Sequence, residues 1–361
     1  MLPAEKALSE ALLKREEHGS LRKLSLIIKE IDFCSNDYLG FARSEVLHQM
    51  ILKEEAKSNI TNGSGGSRLL TGNSEVAAKL EEHLALIHHV PAVLLFNSGY
   101  DTNIGLFSSV PGKDDTIIYD ELVHASIHDG IRLSRAQSFP FRHNDLVHLK
   151  ERIEKAKGNI FVAVESVYSM DGDIAPLNEI TELCSSLKSN LIVDEAHATG
   201  VFNMGLVQQL KLQDKVFARI HTFGKALGCH GAIVAGSKIL KQYLVNYARS
   251  FIYTTALPLH SIISIDCAYR FLGQNEGTVK KLQEIIKYFR QTAYNQKETN
   301  GKWIDSSSAI QSLLVPGNEN VKKLALAIQE HNIDVRPIMS PTVPRGKERI
   351  RICLHAYNTK S

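Results

Sequence analysis

Short apolar runs alternate with segments of helical periodicity along much of this chain, and this alternation constrains the fold more than any other feature. The runs with strand character are Ala92–Phe96, Thr116–Tyr119, Ile160–Val164, Leu191–Val193, Ile220–Phe223 and Ala232–Ala235. Among the helical segments, Glu75–His89 repeats apolar residues at helical spacing behind Asn73-Ser74 as a cap. Alternating strands and helices predict an α/β domain built on a mainly parallel sheet.

The pattern changes after about Gly273. A polar helical stretch, Glu276–Thr299, leads into a smaller α+β segment that ends in Arg349-Ile350-Arg351-Ile352. A chain of 361 residues with 43% hydrophobic content can bury a large core and divide into domains. We therefore predict an N-terminal arm over 1–45, a large domain over 46–272 and a small domain over 273–361.

The composition limits the partners and the cellular compartment. A formal net charge of +3 could help an anionic substrate or an acidic carrier protein approach, but it is too small to indicate a nucleic-acid partner. The five scattered cysteines form no CxxC pair, which indicates a reducing compartment and neither a disulfide framework nor a structural zinc. Because Met1–Lys14 lacks the apolar core of a signal peptide and no run approaches a membrane span, we expect a cytoplasmic protein without a membrane partner.

Lys225 and Asp194 carry the clearest chemical signal. Lys225 lies on a tight turn after the predicted strand Ile220–Phe223, and Asp194 ends the strand Leu191–Val193 upstream. Pyridoxal phosphate enzymes need such a pair, because the lysine holds the cofactor as a Schiff base and the acid keeps the pyridine nitrogen protonated. Ligands of parallel sheets bind beyond the carboxyl ends of the strands, so we expect both side chains at that edge.

The turn Phe96-Asn97-Ser98-Gly99-Tyr100 follows a predicted strand and should open a helix. Backbone N–H groups at a helix N-terminus, with a glycine that permits close approach, make a phosphate site. A plain strand-to-helix turn explains the same residues without any ligand. Thr222 could add a hydroxyl to the same phosphate, and Thr254 or Thr255 could reach it from a neighbouring subunit.

Three motifs suggest other activities, and we reject each of them. Asp194-Glu195-Ala196-His197 spells the DEAH box of helicases, but no Gly-Lys pair in the chain is followed by the Ser or Thr of a phosphate loop. Gly63-Ser64-Gly65-Gly66-Ser67-Arg68 resembles a dinucleotide loop, but Arg68 replaces its third glycine. His124 and His128 have zinc spacing, but no third ligand has an obvious spacing. The better functional use of His124 is stacking on a flat heteroaromatic ring, and an ordinary histidine at a helix start explains the same residue without any ligand.

Seven sequence blocks, in this order, resemble the α-oxoamine synthases, a family of fold-type-I pyridoxal phosphate enzymes. The blocks are Cys34-Ser35-Asn36-Asp37-Tyr38-Leu39-Gly40, Gly63-Ser64-Gly65-Gly66-Ser67-Arg68, Asn97-Ser98-Gly99-Tyr100, His124-Ala125-Ser126, Ser169-Met170-Asp171-Gly172-Asp173, Asp194-Glu195-Ala196-His197 and Thr222-Phe223-Gly224-Lys225. The resemblance runs from about Leu21 to His355. It implies a fold-type-I transferase, with a large domain on a mainly parallel sheet flanked by helices and a small C-terminal α+β domain. It also implies a homodimer with its sites between two subunits.

The resemblance implies a role for each candidate site residue. Lys225 would be the Schiff-base lysine, Asp194 would pair with the pyridine nitrogen, and His197 would hydrogen-bond the phenolic oxygen of the ring. His124 would stack on the ring face, with Ser169 close by. The candidate phosphate contacts are Ser98, Gly99, Tyr100, Thr222 and Thr254. The candidate substrate contacts are Arg22, Asn36, His124, Thr342 and Arg351, the last as a bidentate clamp for an amino-acid carboxylate.

Among the reactions of the family, the resemblance is closest to the decarboxylative condensation of L-alanine with a pimeloyl thioester of coenzyme A or acyl carrier protein. That reaction gives 8-amino-7-oxononanoate, CO2 and a free thiol in biotin biosynthesis. Sister members use glycine or serine, and a non-catalytic subunit on the same fold is the alternative outside catalysis. Two features depart from the family pattern. Val201–Leu206 is shorter than the usual glycine-rich loop, and relatives continue past the position of Ser361 into a final helix.

Overall fold

The computed structural model describes residues 2–24, 29–58, 61–294 and 301–360. Its helices are α1 Pro3–Glu17, α2 Glu45–Glu55, α3 Glu75–Ile87, α4 Gly99–Ser109, α5 Ala125–Leu133, α6 Leu146–Lys155, α7 Leu177–Ser186, α8 Leu206–Gln209, α9 Lys238–Tyr247, α10 Arg249–Ile252, α11 Leu259–Gln274, α12 Glu276–Ala293 and α13 Asn318–Glu330. Its strands are β1 Ile31–Asp32, β2 Ala92–Phe96, β3 Thr116–Asp120, β4 Gln137–Phe141, β5 Ile160–Glu165, β6 Asn190–Asp194, β7 Ala218–Thr222, β8 Ala232–Gly236, β9 Lys302–Trp303, β10 Ile310–Leu314, β11 Ile333–Asp334, β12 Arg336–Ile338 and β13 Arg349–Cys353.

A seven-stranded sheet in the order β2-β8-β7-β6-β5-β3-β4 organises the larger of two compact units, which comprises Asn36–Ser169 and Ile174–Gln283. Every neighbouring pair is parallel except those made by β8, which runs against both β2 and β7. The carboxyl ends of β2, β3, β5, β6 and β7 therefore meet at one edge of the sheet. The predicted mainly parallel α/β domain is confirmed.

Both faces of this sheet are covered by helices. Along β5, Phe161 and Ala163 pack into one apolar cluster while Val162 and Val164 pack into another, as the two-residue period of a strand requires. Because both faces are buried, the strands are continuous apolar runs rather than alternating ones. This explains why the apolar runs of the sequence mark the strands so clearly.

The predicted strands match β2, β3, β5, β6, β7 and β8 to within two residues at each end. Strand β4 was absent from the prediction. It is an edge strand that pairs only with β3 among the described strands, it contains Pro140, and most of it is exposed. Proline is tolerated at a sheet edge, where its missing N–H breaks no ladder, so this strand lacks the buried apolar signature.

The smaller compact unit comprises Met1–Ser35, Met170–Asp173 and Glu284–Ser361. Its four-stranded antiparallel sheet has the order β12-β13-β10-β9, and β1 pairs with β11 in a separate parallel ladder. Helix α13 buries Val321 and Ala325 in a cluster with Ile350 of β13. The domain boundaries predicted from the sequence, at 45/46 and 272/273, remain predictions. Of the predicted helix Glu276–Thr299, α12 accounts for the part up to Ala293, and residues 295–299 lie outside the described residues.

All five cysteines are free thiols, and Cys184, Cys267 and Cys353 are buried. Within the described ranges, no helix combines the length and the apolar character needed to cross a membrane.

Candidate active site

A pocket opens at the carboxyl edge of the seven-stranded sheet. It encloses about 450 Å³ of empty space, including its open mouth. Its lining residues are Gly99, Tyr100, Asn103, His124, Ser126, Glu165, Asp194, Ala196, Thr222 and Lys225. Five loops that are distant in the sequence thus bring together most of the predicted cofactor residues.

Lys225 is held on a closed turn between β7 and β8. The turn is fastened by two backbone hydrogen bonds, from the Phe223 N–H to the Gly231 carbonyl and from the Cys229 N–H to the Phe223 carbonyl. Gly228 adopts a positive φ of 63°, and a Cβ there would fall 2.3 Å from the backbone nitrogen of Ala42. The turn is therefore tight for steric reasons, and it leaves Lys225 half-buried at the pocket.

His197 contacts the lysine directly. Its Nε2 lies 2.6 Å from Lys225 Nζ, and its Nδ1 lies 2.8 Å from the Tyr38 hydroxyl oxygen. That hydroxyl donates to Asn36 Oδ1 at 3.1 Å, so its oxygen accepts the Nδ1–H of His197. Nε2 then presents a lone pair towards the lysine amine. Asn36, predicted as a substrate contact, thus lies at the end of a chain that orients the His197 ring.

Asp194 ends β6 and accepts two hydrogen bonds. Ala196 N–H donates to Oδ1 at 2.9 Å, and Asn103 Nδ2 donates to Oδ2 at 2.8 Å. The same Asn103 amide donates to Ser126 Oγ at 2.9 Å. Asn103 on α4 therefore links the acid to the start of α5.

His124 is the N-cap of α5. Its Nδ1 accepts the Ser126 backbone N–H at 3.2 Å and lies 2.7 Å from the Ser126 hydroxyl. The proton of a neutral imidazole must then be on Nε2. Burial lowers the pKa of His124 below its usual value, while the charge of Asp194 opposes this shift. At neutral pH we therefore expect an uncharged ring, suited to stacking.

The residues that were predicted to bind a phosphate group lie close together, near the start of α4. A Cβ on Gly99 would lie 3.4 Å from the Thr222 side chain, so the glycine keeps the gap between the helix start and this hydroxyl open. Thr254 Oγ1 accepts a hydrogen bond from Asn97 Nδ2 at 2.9 Å within the same chain. Helix α4 directs its first backbone N–H groups towards this gap, which suits an anion.

Two of these predicted phosphate residues are already engaged. The Ser98 hydroxyl caps α4 by accepting the Asp101 N–H at 3.1 Å and donates to Asp101 Oδ2 at 2.7 Å. The Tyr100 hydroxyl donates to Asp129 of α5. These side chains shape the rim and the helix start. Ser169 is buried just beyond β5 but is not among the described residues that line the pocket.

The loop after Asp194–His197 is compact. Gly205 has a φ of 121°, and a Cβ there would overlap the carboxyl of the buried Glu195. The Glu195 Oε1 accepts the Val207 N–H at 3.0 Å. The short Val201–Leu206 segment thus closes directly onto Glu195 and leaves Asp194 and His197 in place.

The other predicted substrate residues belong to the smaller compact unit. Arg22 donates a hydrogen bond through Nη2 to Thr342 Oγ1 at 2.9 Å, so these two predicted substrate residues contact each other. Arg351 lies on β13 opposite Ser312 of β10, whose hydroxyl donates to the Met170 carbonyl at 2.8 Å.

An ion pair links β13 to the segment Met170–Asp173. Arg349, also on β13, pairs with Asp171 of the segment Met170–Asp173. The strand that carries Arg351 is thereby tied to that segment.

Sequence reasoning missed Asn103, Ser126, Tyr38 and Glu165 as site residues. Glu165 could have been found, because it ends an apolar run as Asp194 does. Asn103 could not have been found in this way. It lies on α4 about one helical turn after Gly99, and only the geometry of the helix brings its side chain to Asp194.

The pocket fits the pyridoxal phosphate that the resemblance implies. It offers an amine for the cofactor aldehyde in Lys225, a buried carboxylate for the ring nitrogen in Asp194, and a helix N-terminus with a glycine gap for the phosphate. Two buried atoms around the pocket, Asn103 Oδ1 and Glu165 Oε1, have no hydrogen-bond partner among the described residues. Buried polar atoms are seldom left unpaired, so this arrangement is suited to a polar ligand.

Comparisons with known proteins identify the family. Residues 28–361 match the family model described as aminotransferase class I and II. The chain is 44% identical to 8-amino-7-oxononanoate synthase of Emericella nidulans, covering 98% of this chain and 92% of that protein. The structure of 8-amino-7-oxononanoate synthase from Francisella tularensis is similar, with a TM-score of 0.77, 27% identity and coverage of 91% and 93%. The serine palmitoyltransferase of S. paucimobilis, at 22% identity, shares the fold with a TM-score of 0.88, covering 100% of this chain and 95% of that one.

These matches cover nearly the whole chain, and the seven blocks and the pocket agree with them. The chain belongs to the class I and II aminotransferases and, within them, to the α-oxoamine synthases, which are pyridoxal phosphate-dependent acyltransferases.

Proposed function

We propose that this protein condenses L-alanine with a pimeloyl thioester, with loss of CO2, to form 8-amino-7-oxononanoate in biotin biosynthesis. The observation that carries the proposal is the 44% identity over nearly the full length to an enzyme named for this product. The acyl carrier is coenzyme A or acyl carrier protein. The proposal includes a homodimer, which would have about twice the mass of the 40.1 kDa chain in solution, and a cytoplasmic location.

Each site residue has a distinct part in this chemistry. Pyridoxal phosphate supplies an electron sink for the charge that develops at the amino-acid Cα. Lys225 Nζ would hold the cofactor and would move a proton at the amino-acid Cα. Asp194 would hold the ring nitrogen, and His197, oriented by Tyr38, contacts the Lys225 amine. Neutral His124 would stack on the ring face and exclude water from it.

Arg351 is proposed to bind the carboxylate of the amino acid. A planar guanidinium matches a carboxylate with two parallel hydrogen bonds, which Lys cannot reproduce. We expect Arg351→Lys to raise the KM for L-alanine by about tenfold or more while kcat changes less. The matched control is Arg345→Lys, an exposed position in the same unit. An unchanged KM in the Arg351 variant would remove this residue from the substrate site.

The decisive test of the proposed function compares amino-acid substrates. The cofactor-loaded protein is incubated with pimeloyl-coenzyme A and with L-alanine, glycine or L-serine, and thiol release and product mass are measured. We expect kcat/KM for L-alanine to exceed that for glycine by about tenfold or more, since one buried methyl group supplies discrimination of this order. A preference for glycine or L-serine would assign the protein to a sister activity of the family. Binding of the amino acid without release of the thiol would indicate a non-catalytic subunit.

A further inference from the structure

Glu165 is a buried carboxyl with no assigned role in the pocket. It ends β5 directly beside Asp194, its register partner at the end of β6. The residue is 2% exposed and lines the pocket, and its Oε1 has no hydrogen-bond partner among the described residues. A carboxyl in such a position needs either a ligand or a neutral form, because an unpaired buried charge is strongly unfavourable.

The two neighbouring carboxyls have different surroundings. Asp194 accepts two hydrogen bonds, from the Asn103 side chain and the Ala196 N–H. Adjacent carboxylates in a buried site do not both ionise, so the better-solvated one keeps the charge and the other keeps a proton. Burial and the charge of Asp194 raise the pKa of Glu165 well above its usual value, while Lys225 opposes this shift.

The backbone around Glu165 connects it to the predicted ring contacts. The backbone N–H groups of His124 and Ser169 face its carboxyl. These residues are the predicted stacking histidine and its neighbouring serine. A protonated carboxyl can accept from such N–H groups on one oxygen and donate its own O–H from the other. Glu165 therefore has both the position and the donor needed to contact a ligand in the pocket that it lines together with His124.

We propose that Glu165 is a further cofactor-contacting residue, a neutral carboxylic acid that donates a hydrogen bond from Oε1 to an acceptor on the ring-bearing ligand. Asp194 then carries the single carboxylate charge of the pocket. The proposal rests on the family's use of pyridoxal phosphate and is independent of which amino acid or thioester the protein takes.

The experiment uses two Glu165 variants and one control. Glu165→Gln retains a donor and cannot ionise, whereas Glu165→Leu has similar bulk and no donor. The control is Glu182→Gln, which changes an exposed glutamate on α7. The affinity of each apoprotein for pyridoxal phosphate is measured by absorbance titration. We expect Glu165→Gln to stay within about threefold of the unchanged protein, and Glu165→Leu to bind about tenfold more weakly.

A cofactor-free readout covers the case in which the leucine variant does not fold. Infrared spectra of the apoprotein at neutral pH should contain the carbonyl band of a protonated carboxylic acid. Burial also raises the pKa of Glu195, to about 7, so that residue contributes to the same band. The band should lose intensity in Glu165→Gln and keep its intensity in Glu182→Gln.

Stability should also respond to pH. Because the pKa of Glu165 is raised in the folded state, its stabilising effect is complete below the unfolded value near 4.5 and is lost as the pH rises. The urea midpoint of the unchanged protein should therefore fall relative to that of Glu165→Gln as the pH increases.

Three results would overturn the proposal. Equal losses of cofactor affinity in the Gln and Leu variants would show that the charge of Glu165 matters. Unchanged affinity in a folded Leu variant would show that there is no contact. An acid band that keeps its full intensity in Glu165→Gln would show that the proton does not reside on Glu165. None of these measurements uses the substrates, so failure here is distinguishable from failure of the proposed alanine–pimeloyl reaction.

Discussion

Replacing Lys225 with Ala is expected to lower turnover of the cofactor-loaded protein by about 10³-fold or more. The substitution removes both the amine that holds the cofactor and the group that moves the proton at Cα. It also removes the contact between Lys225 Nζ and His197 Nε2. Because the lysine is only half-buried and the turn is closed by backbone hydrogen bonds, we expect the variant to fold.

The measurement separates cofactor attachment from activity. Each protein is loaded with pyridoxal phosphate, reduced with borohydride and analysed by mass spectrometry for covalently retained cofactor. The control is Lys113→Ala, because Lys113 also follows a glycine but is exposed on a loop. The control should retain the label as the unchanged protein does, and Lys225→Ala should not. Retention of the label by the Lys225 variant would contradict the assignment.

Replacing Asp194 with Asn is expected to lower kcat by about 10²- to 10³-fold, the scale on which one pre-organised electrostatic group acts. Asn has the shape of Asp and can still accept the Ala196 N–H through its single oxygen. It has no negative charge to keep the ring nitrogen protonated, so the ring accepts electrons poorly. Its side-chain NH2 group would also face Asn103 Nδ2, so the hydrogen bond that Asn103 donates to Asp194 in the unchanged protein would be lost.

The expected pattern for this variant is a large loss of kcat with a smaller change in cofactor affinity. Steady-state kinetics with L-alanine and absorbance titration of the apoprotein measure the two quantities. Asp114→Asn, an exposed substitution beside β3, is the control for the loss of one negative charge. A kcat within about threefold of that control would exclude Asp194 as the partner of the ring nitrogen.

The sequence predicted most of the fold for a physical reason. Strands buried on both faces must be continuous apolar runs, and β2, β3, β5, β6, β7 and β8 are such runs. Strand β4 escaped prediction because an exposed edge strand has no such constraint, as Pro140 shows. The helix Glu75–His89 was predicted from its cap and apolar spacing, and α3 ends only two residues earlier, at Ile87.

The candidate site was predicted in part. Gly99, Asp194, Thr222 and Lys225 lie at the ends of strands or the start of a helix, and parallel topology brings such positions together. The partners of these residues were not predictable in the same way. Tyr38 reaches His197 across a sequence separation of 159 residues, and no local pattern encodes that contact.

The candidate residues of the site could therefore be recognised in the sequence. A lysine on a tight turn, an acid at a strand end and a glycine at a helix start can each be recognised locally, because strand ends and helix starts have strong local signals. Tertiary structure alone decided the hydrogen-bonding and charge state of these groups. Packing between distant segments gives Asp194 two hydrogen-bond donors, raises the pKa of the buried Glu165 and lowers the pKa of His124.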